Sequence, residues 1–504
     1  MFSHDVATKG RDPSLRSAST TRWLLAGGAL LLGGPLAVGK TEATVRYVDS
    51  VKGTDTADCD NPLDPCQNIR HTIDESLPGD TIKLISLIGA PTVFSEAGLK
   101  IVFDLTISGE GALRTEIDAK QFDRLFVIDD GASAIIEGVT LRNGLVPNGL
   151  TTNQGGAILV RDGDLRLSKS RLLDNQASVG GGIAARAAAG NVDVVGSHIA
   201  GNLGTAGGGG IWCDGCGGVS IVDSEISDNV AGGSGGAIRA LGTTVSVRRS
   251  HLMRNNADEG GAVHATAAAL TITESELSDN EADSADGGGI FIGGTLNLER
   301  STLAGNTALF GNGGAVHVGA NSLVFGSNST FSGNTAAAGG ALSLPSNFGS
   351  GSVATIVTST FYGNEATVPG LAEHISGDWN FFSLHNSIIT ASPLAGGVPG
   401  PFCNAALNFG QHNRIDDNSC DSGGATFNLG AVTDLDPLLA ANSGLGRTHL
   451  PAVTSNAVDA GLNNACFNPA TGFPLIFDQR GKLRPVDFDS NGVEECDIGA
   501  VELQ

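Results

Sequence analysis

One column of side chains has the residue types that bind sugars. A repeated strand motif leaves one outward position between two apolar residues, and consecutive repeats fill it with Trp212, Arg239, His264, Phe291 and His317. Alternate residues of a strand point to opposite faces and neighbouring strands lie ~4.8 Å apart, so these five would form a ladder ~20 Å long. Aromatic rings offer apolar faces, and arginine and histidine bond to hydroxyl groups. We predict a glycan-binding face; the plainer alternative is a scattered surface covered by a loop.

Arg239 and His264 are also the catalytic candidates, because β-elimination needs a basic side chain and these two are neighbours in the column. Hydrolysis of a glycosidic bond instead needs two carboxyl groups that face one cleft. The adjacent acidic pairs are Asp129-Asp130, Asp258-Glu259 and Asp416-Asp417. Neighbours in a strand point to opposite faces, and no acidic residue shares the position of the column. A non-enzymatic protein is therefore favoured, with a polysaccharide lyase or glycoside hydrolase as the alternative.

An acidic loop near the end of the sequence has the pattern of a calcium site. A D-x-D-x-N-G motif supplies oxygen ligands at alternate positions: Asp487, Asp489, Asn491, the Val493 carbonyl and Glu495. Position 12 of the motif is Ile498, so the usual bidentate glutamate is missing. We predict a structural Ca²⁺ here and no other cofactor; an acidic surface turn is the alternative.

The eight cysteines fall close together in pairs, and the simplest pairing joins sequence neighbours: Cys59/Cys66, Cys213/Cys216, Cys403/Cys420 and Cys466/Cys496. The Cys213–Cys216 pair also has the spacing of a redox or zinc motif, which stays an alternative to a short disulfide.

The elements that position these residues come from a repeat of 25–30 residues. Its clearest line is Ser-x-apolar-x-x-Asn, which begins at Ser170, Ser197, Ser224, Ser250, Ser275, Ser301, Ser329 and Ser359. A short alternating strand precedes each serine, and Gly-Gly-x-apolar follows most of the asparagines. No unit can bury its apolar face alone, whereas stacked units can. We predict an all-β parallel β-helix of about ten coils, in which the asparagines form a structural ladder. The units are too short for propeller blades and lack the pattern of leucine-rich repeats.

The two ends of the solenoid need caps that block edge-to-edge pairing. Ile69, Ile73 and Leu77 recur at helical spacing, which predicts a helical cap at the N-terminal end. Residues 365–465 lose the repeat and are expected to form irregular last coils and loops. The expected division is 1–43 signal peptide, 44–125 N-terminal cap and first coils, 126–400 β-helix repeats and 401–504 C-terminal capping segment.

Composition and the N-terminal sequence point to export. A polar start with four basic residues precedes a 16-residue apolar run, 23–38, and small residues follow, as in a secretory signal. An uncleaved N-terminal anchor is the alternative, and no transmembrane span is expected in the mature chain. The net charge of −24 repels phosphate backbones, which excludes nucleic acid as a partner.

The two ends also carry a family resemblance. Tyr47-Val48-Asp49-Ser50 with Pro78-Gly79-Asp80-Thr81-Ile82, and Asp478-Gln479-Arg480-Gly481 with Cys496-Asp497-Ile498-Gly499, resemble the opening and closing segments of exported bacterial right-handed parallel β-helix proteins of the pectate-lyase-like superfamily. The Gly-Gly-Ala-Ile motif resembles repeats of polymorphic outer membrane proteins. The resemblance implies right-handed coils and a secreted or outer-surface location. The Asn-Thr-Asp and Gly-His-Gly motifs of polygalacturonases are absent. We predict an adhesin-like protein that binds glycan or a partner surface.

Overall fold

The computed structural model describes residues 43–55, 58–85, 91–146, 153–344, 351–377, 382–391, 400–404, 406–407, 409–421, 427–444 and 446–504. The predicted signal peptide therefore lies outside the described residues. The described part is an all-β parallel solenoid of about 11 turns, close to the ten expected. Alternating apolar residues form short strands, and each strand pairs in parallel with its counterpart in the next coil.

Sheet 1 contains 23 strands in two rows that merge in two long strands, Val263–Thr273 and Ile290–Glu299. The first row also contains Leu99–Ile101, Phe126–Ile128, Ile158–Val160, Ile183–Ala185, Ile211–Asp214, Ile238–Leu241, Val316–Val318, Leu342–Ser343 and Ile375–Ser376. The second row also contains Val45–Val48, Thr81–Leu84, Leu105–Ser108, Ser133–Glu137, Gly163–Ser168, Ala189–Val195, Gly218–Val222, Thr244–Arg248, Leu323–Ser327, Val353–Val357, Phe382–His385 and Phe409–Gln411. The first row carries the predicted column.

Two narrower sheets complete each coil. Sheet 2 has 13 strands: Thr92–Phe94, Thr115–Asp118, Thr140–Arg142, Arg171–Leu173, His198–Ala200, Glu225–Ser227, His251–Met253, Glu276–Ser278, Thr302–Ala304, Thr330–Ser332, Thr360–Tyr362, Ile388–Thr390 and Arg414–Ile415. Sheet 3 has eight: Gln176–Val179, Leu203–Gly207, Val230–Ala231, Asn256–Ala257, Glu281–Ala282, Thr307–Ala308, Thr335–Ala336 and Glu365–Ala366.

The repeated glycines stand at the corner between sheets 3 and 1, where the backbone is left-handed. Gly235 is representative, with a φ of +73°, and a Cβ there would lie 2.4 Å from the Ile238 carbonyl oxygen. Only glycine fits that position. The same close approach recurs at Gly260 and Gly287 in the next two coils, which explains why the glycine pair persists through the repeat.

Buried polar ladders line the corners on either side of sheet 2. Each ladder asparagine from Asn175 to Asn334 donates its side-chain amide to the next asparagine, one coil on, at 2.8–3.0 Å. The repeat serines form a second ladder, in which a backbone N–H donates to the next serine hydroxyl. The structural role predicted for the asparagines is confirmed.

The predicted helical cap at the N-terminal end is not supported. The described residues contain one α-helix, but it comprises only Ile69–Asp74 and ends before Leu77. Six residues make less than two turns, which is too little to cover the open end of a coil. The helix buries Ile69 and Ile73 and contacts the first two strands of the second row and the first-row strand Leu99–Ile101. A short 3-10 helix, Asn463–Ala465, lies near the other end of the chain.

The C-terminal segment, residues 427–504, runs back along the side of the solenoid instead of only capping its end. Its anchors lie along five consecutive strands of sheet 2, from Glu276–Ser278 to Ile388–Thr390. They include Arg447 on Glu276, Gln479 on Thr302 and Thr330, Arg484 on Asn328, the Ala500 N–H on Thr360, and Asn386 on the Leu462 carbonyl. The Arg484–Glu502 ion pair is fully buried at 2.7 Å. The segment therefore covers five coils and leaves the earlier part of sheet 2 open.

Four disulfides join the cysteines as the sequence predicted: Cys59–Cys66, Cys213–Cys216, Cys403–Cys420 and Cys466–Cys496. Since Cys213 is bonded to Cys216, this C-x-x-C pair is a short disulfide in the structure. Within the described ranges, no helix is long and apolar enough to span a membrane.

Candidate functional site

Strand register brings the five predicted binding residues into one continuous column. Trp212 pairs with Arg239, Arg239 with His264, His264 with Phe291 and Phe291 with His317, one coil after another. The column continues into Leu159 and Ala184 at one end and Ser343 at the other. The alternation inferred from the sequence therefore placed all five side chains on the same face.

The column is more enclosed than a sugar-stacking surface. Trp212 is 8% exposed and packs on Leu159, Ala184 and Val179, and His264 is 7% exposed. Phe291 lies between two histidines, with ring centroids 4.8 Å from His264 and 5.4 Å from His317. Both faces of the phenylalanine are therefore covered by neighbouring rings. A sugar would meet ring edges and polar groups here, not the open aromatic faces that the sequence suggested.

Two carboxylates that the column analysis missed stand beside the histidines. Glu259 Oε2 lies 3.0 Å from His264 Nε2, and Asp286 Oδ2 lies 3.6 Å from His317 Nε2. Both carboxyl groups are about 30% exposed, whereas the histidine side chains behind them are 9% and 14% exposed. The carboxylates therefore form the solvent-facing part of the site, and the histidine side chains lie beneath them.

The two carboxylates occupy one repeating position, the residue just before the Gly-Gly pair. The Gly260 N–H donates to the Asp286 carbonyl oxygen, which places the two acids in adjacent coils. The left-handed glycine corner turns the chain back toward sheet 1. The residue before the glycine pair therefore faces the column, whose member in the same coil comes five residues later in the sequence. In the sequence, Glu259 stands out only as part of the adjacent acidic pair Asp258-Glu259. The signal that could have found both acids was this second column: Ser234, Glu259, Asp286 and Asn312.

Burial lowers the pKa of His317, and the charges of Asp286 and Glu259 offset part of that effect. Asp286 also accepts hydrogen bonds from the backbone and side-chain amides of Asn312, at 2.6 and 3.2 Å. The Nδ1 atoms of His264 and His317 are buried and have no hydrogen-bond partner among the described residues.

Arg239 is the arginine of the column and lies between Trp212 and His264. Its side chain lies against the Gly207 backbone, and its buried Nε has no hydrogen-bond partner in the described part of the chain. Glu259 belongs to the same coil as His264, which is the direct neighbour of Arg239. An arginine, two histidines and two carboxylates therefore line four adjacent coils. This set can bind sugar hydroxyls as both donor and acceptor and can transfer protons.

The acidic loop near the C-terminal end assembles differently from its motif. Oxygens of Asp487, Asp489 and Asp459 lie within 4.8 Å of one another. Asp459 comes from a loop 28 residues earlier, and no spacing rule in the sequence marks it. The predicted ligand Glu495 is not part of this group and forms a bridge with Val486. The side chain of Asn491 binds Asp489, and its oxygen accepts the Val493 N–H.

Three carboxylates in one loop cluster are oxygen donors of the kind that Ca²⁺ prefers, so the residues fit the ion chemically. The carboxylates also accept backbone N–H groups within the loop, from Asn491 and Gly492 to Asp487. Hydrogen bonds within the protein therefore also account for the arrangement of these carboxylates without a metal ion. Calcium binding by this loop stays a prediction.

One family model matches the chain. Residues 123–277 match the model described as "Right handed beta helix region", a stretch that includes Trp212, Arg239, Glu259 and His264. This match agrees with the parallel coils described above, and it gives the matched stretch its right-handed assignment. No curated protein sequence matches it. Bacterial origin and the likeness to polymorphic outer membrane repeats stay predictions.

Several solved structures are similar to the chain at low sequence identity and low TM-score. The complex of XylC with xylose has 10% identity and a TM-score of 0.42, covering 92% of this chain and 98% of that chain. The GH136 lacto-N-biosidase from Eubacterium ramulus has 13% identity and a TM-score of 0.35, covering 68% of both chains. Pectate lyase Pel9A has 13% identity and a TM-score of 0.32, covering 92% and 98%. These values do not carry any of their activities to this chain.

Proposed function

We propose that this chain is an exported or cell-surface protein that binds glycan along the column from Trp212 to His317. The observation that supports this most directly is the acid–histidine cluster, in which Glu259 and Asp286 stand half-exposed in front of two buried histidines. Carboxylates accept hydrogen bonds from sugar hydroxyls, and Arg239 can donate to ring or hydroxyl oxygens. A site built in this way uses polar groups for specificity.

An adhesin-like role suits the shape of the site. The column crosses five coils, so it would bind a chain lengthwise over ~20 Å. Export is supported by four disulfides, which persist in oxidising compartments, and by the apolar N-terminal run. A partner surface with exposed hydroxyl or amide groups could use the same cluster, so the adhesin role covers both kinds of partner.

The test is glycan-array binding by the purified protein, followed by calorimetry on the best ligand. We expect Glu259→Gln with Asp286→Asn to weaken binding at least tenfold, because the two carboxylate acceptors for sugar hydroxyl groups are lost. Asp258→Asn is the matched control, since Asp258 is the exposed neighbour of Glu259. Equal affinity of the double variant and the wild type, or an absence of glycan binding across the array, would exclude this site.

Hydrolysis of the bound glycan is the second candidate, favoured by the position of the two carboxylates in adjacent coils. Backbones of neighbouring strands lie ~4.8 Å apart, close to the ~5–5.5 Å between carboxyl groups in retaining glycosidases. His264 could move a proton to or from Glu259. The polysaccharide lyase alternative would instead use Arg239 and His264 for proton abstraction.

Reducing-end release across a polysaccharide panel separates these possibilities. Release that is lost in Glu259→Gln, with retained configuration at the new anomeric carbon by NMR, would establish hydrolysis. Unsaturated products would establish a lyase. Tight glycan binding without any release would leave the protein as a binding module.

A further inference from the structure

We propose that the open part of sheet 2 is a second ligand site, which binds a sugar carrying a single anionic group. The site is a groove of about 500 Å³ on the outer face of four consecutive coils. It lies on a different sheet from the Trp212–His317 column. Its assignment therefore does not depend on the proposed function of that column.

The groove exists because the C-terminal segment stops short of it. Arg447 in that segment binds Glu276, the first residue of the next strand of sheet 2. On the other side, the loop that contains Ala112 borders the groove. The Ala112 carbonyl oxygen accepts a hydrogen bond from the Thr140 hydroxyl group. Between these borders, the strand-starting residues Arg171, His198, Glu225 and His251 form the floor in register.

One end of the groove carries two cations without partners. Lys169 and Arg171 flank the buried ladder residue Ser170, so both side chains point outward into the groove. Neither forms an ion pair or a side-chain hydrogen bond with any residue that the structure describes. The left-handed corner position of Lys169 is occupied by Gly138 and Gly196 in the adjacent coils, which supply no side chain to pair with it.

Arg249, further along the groove, is neutralised by an acidic residue. Arg249 forms two hydrogen bonds with Asp223, at 2.7 and 2.8 Å, and His198 Nε2 lies 3.3 Å from Glu225. Unlike Arg249, the side chains of Lys169 and Arg171 carry positive charges that no described acidic residue neutralises, in a chain of net charge −24. Lysine and arginine together bind carboxylate or sulfate strongly, and arginine does so through two parallel hydrogen bonds.

The carboxylates in the groove limit what can follow that anionic group. Asp223 and Glu225 lie two coils beyond Lys169 and Arg171, roughly 10 Å away by strand spacing. They accept hydrogen bonds from hydroxyl groups but repel further negative charge. A ligand with one anionic group followed by neutral, hydroxylated units therefore fits. A polymer with a charge on every unit, such as a polyuronide or a nucleic acid, does not.

Calorimetry with four probes tests this assignment: 3′-sialyllactose with one carboxylate, lactose 3′-sulfate, uncharged lactose, and tetragalacturonate with a carboxylate on every unit. We expect one or both of the singly charged sugars to bind, and to bind at least tenfold more tightly than lactose and tetragalacturonate. The relative affinity of the first two probes decides between carboxylate and sulfate. Added salt should weaken binding, because the contact is partly exposed.

The variants locate the site. Lys169→Ala with Arg171→Ala should weaken binding of the preferred probe at least tenfold. Arg166→Ala is the control, since Arg166 is an exposed arginine of the same coil that faces outward from sheet 1. His264→Ala should leave this affinity unchanged, which separates the groove from the column. The proposal is overturned if neither singly charged sugar binds, if lactose or tetragalacturonate binds as well, or if the double variant with wild-type thermal unfolding keeps wild-type affinity.

Discussion

At the scale of single residues, the buried polar ladders hold consecutive coils in register. Asn229 is representative. Its amide donates to the carbonyl oxygens of Ile199 and Ser227 and to Asn255, and its oxygen accepts two hydrogen bonds from Asn202. All these groups lie at a corner, where sheet hydrogen bonds cannot satisfy them. The side chain thus replaces backbone pairing where the chain turns.

We predict that Asn229→Ala lowers the free energy of unfolding by about 3–5 kcal/mol, because several buried groups lose their partner at once. Urea denaturation measures this loss. Asn256→Ala is the control, since Asn256 is half-exposed and its side chain donates one hydrogen bond, to Asp283 at 2.8 Å. We expect a loss of about 1 kcal/mol or less there. Equal losses in the two variants would contradict the ladder's role.

His374 makes the stability of the fold sensitive to acid. It is fully buried against Phe402, accepts a hydrogen bond from Asn364, and its Nε2 has no partner in the described residues. Burial lowers its pKa to about 3. The unfolded chain takes up a proton near pH 6.5 and the folded chain does not, so this residue's contribution to stability is lost as the pH falls from about 6.5 towards 3.

We therefore predict that the wild type loses about 3 kcal/mol more stability between pH 7 and pH 4 than His374→Gln does. Burial, followed by the charge of Glu502, raises the pKa of Asp497 to about 7, which acts in the opposite sense in both proteins. The difference between the two proteins in urea titrations isolates the histidine. His251→Gln, at an exposed position, should change nothing, and an unchanged pH dependence in His374→Gln would contradict the assignment.

At the scale of elements, loops that are distant in sequence meet in the C-terminal segment. The carboxylates of Asp459, Asp487 and Asp489 converge there, and the Asp489 N–H donates to Asp459 at 2.8 Å. An ion at this point would tie two loops of the segment together. Its effect would therefore appear as stability and not as chemistry.

We predict that Ca²⁺ raises the unfolding temperature of the protein, by a stabilisation of about 2.7 kcal/mol when free Ca²⁺ is 100 times its Kd. Asp459→Asn and Asp489→Asn should abolish the shift. Glu494→Gln, an exposed residue of the same loop outside the carboxylate group, should preserve it. Scanning calorimetry with and without a chelator gives the answer, and equal unfolding temperatures in both conditions would show that the loop is only an acidic turn.

At the scale of the whole molecule, the solenoid is a stack of similar coils. The C-terminal segment, residues 427–504, packs along several of them and is called the brace here. A coil outside the brace contacts only its neighbours, so it should be dispensable. A coil under the brace also sets the spacing between the anchors of the C-terminal segment. Arg447, Gln479 and Arg484 reach three successive coils in this way. The two parts of the stack should therefore respond differently to the loss of one unit.

We predict that deletion of residues 225–250 leaves a folded protein that unfolds cooperatively, because Asn202 can then meet Asn255 in the ladder. Deletion of residues 276–301 should release the C-terminal segment. Each deletion spans one 26-residue step of the serine ladder. Hydrogen exchange of residues 427–504 distinguishes them: protection should persist in the first variant and fall in the second. Equal protection in both would show that the segment does not depend on coil spacing.

The sequence by itself determined the architecture and the membership of the column. The coil repeat, the period-two strands and the glycine corners are local patterns that recur every 25–30 residues, and their recurrence specifies parallel stacking and register. Register then placed Trp212, Arg239, His264, Phe291 and His317 in one line, as predicted. The four disulfides followed from proximity in sequence because each closes a short loop.

Only the tertiary structure decided which groups share a site. Glu259 and Asp286 reach the histidines because the left-handed glycine corner turns the chain by an angle that strand alternation does not encode. Asp459 joins Asp487 because two irregular loops fold together, and irregular loops have no period. The helical cap and the C-terminal end cap were expected from the need to cover open edges, but the return path of the last residues depends on individual long-range contacts. Those contacts, such as Arg484 with Asn328 and Glu502, occur once and leave no repeating signal.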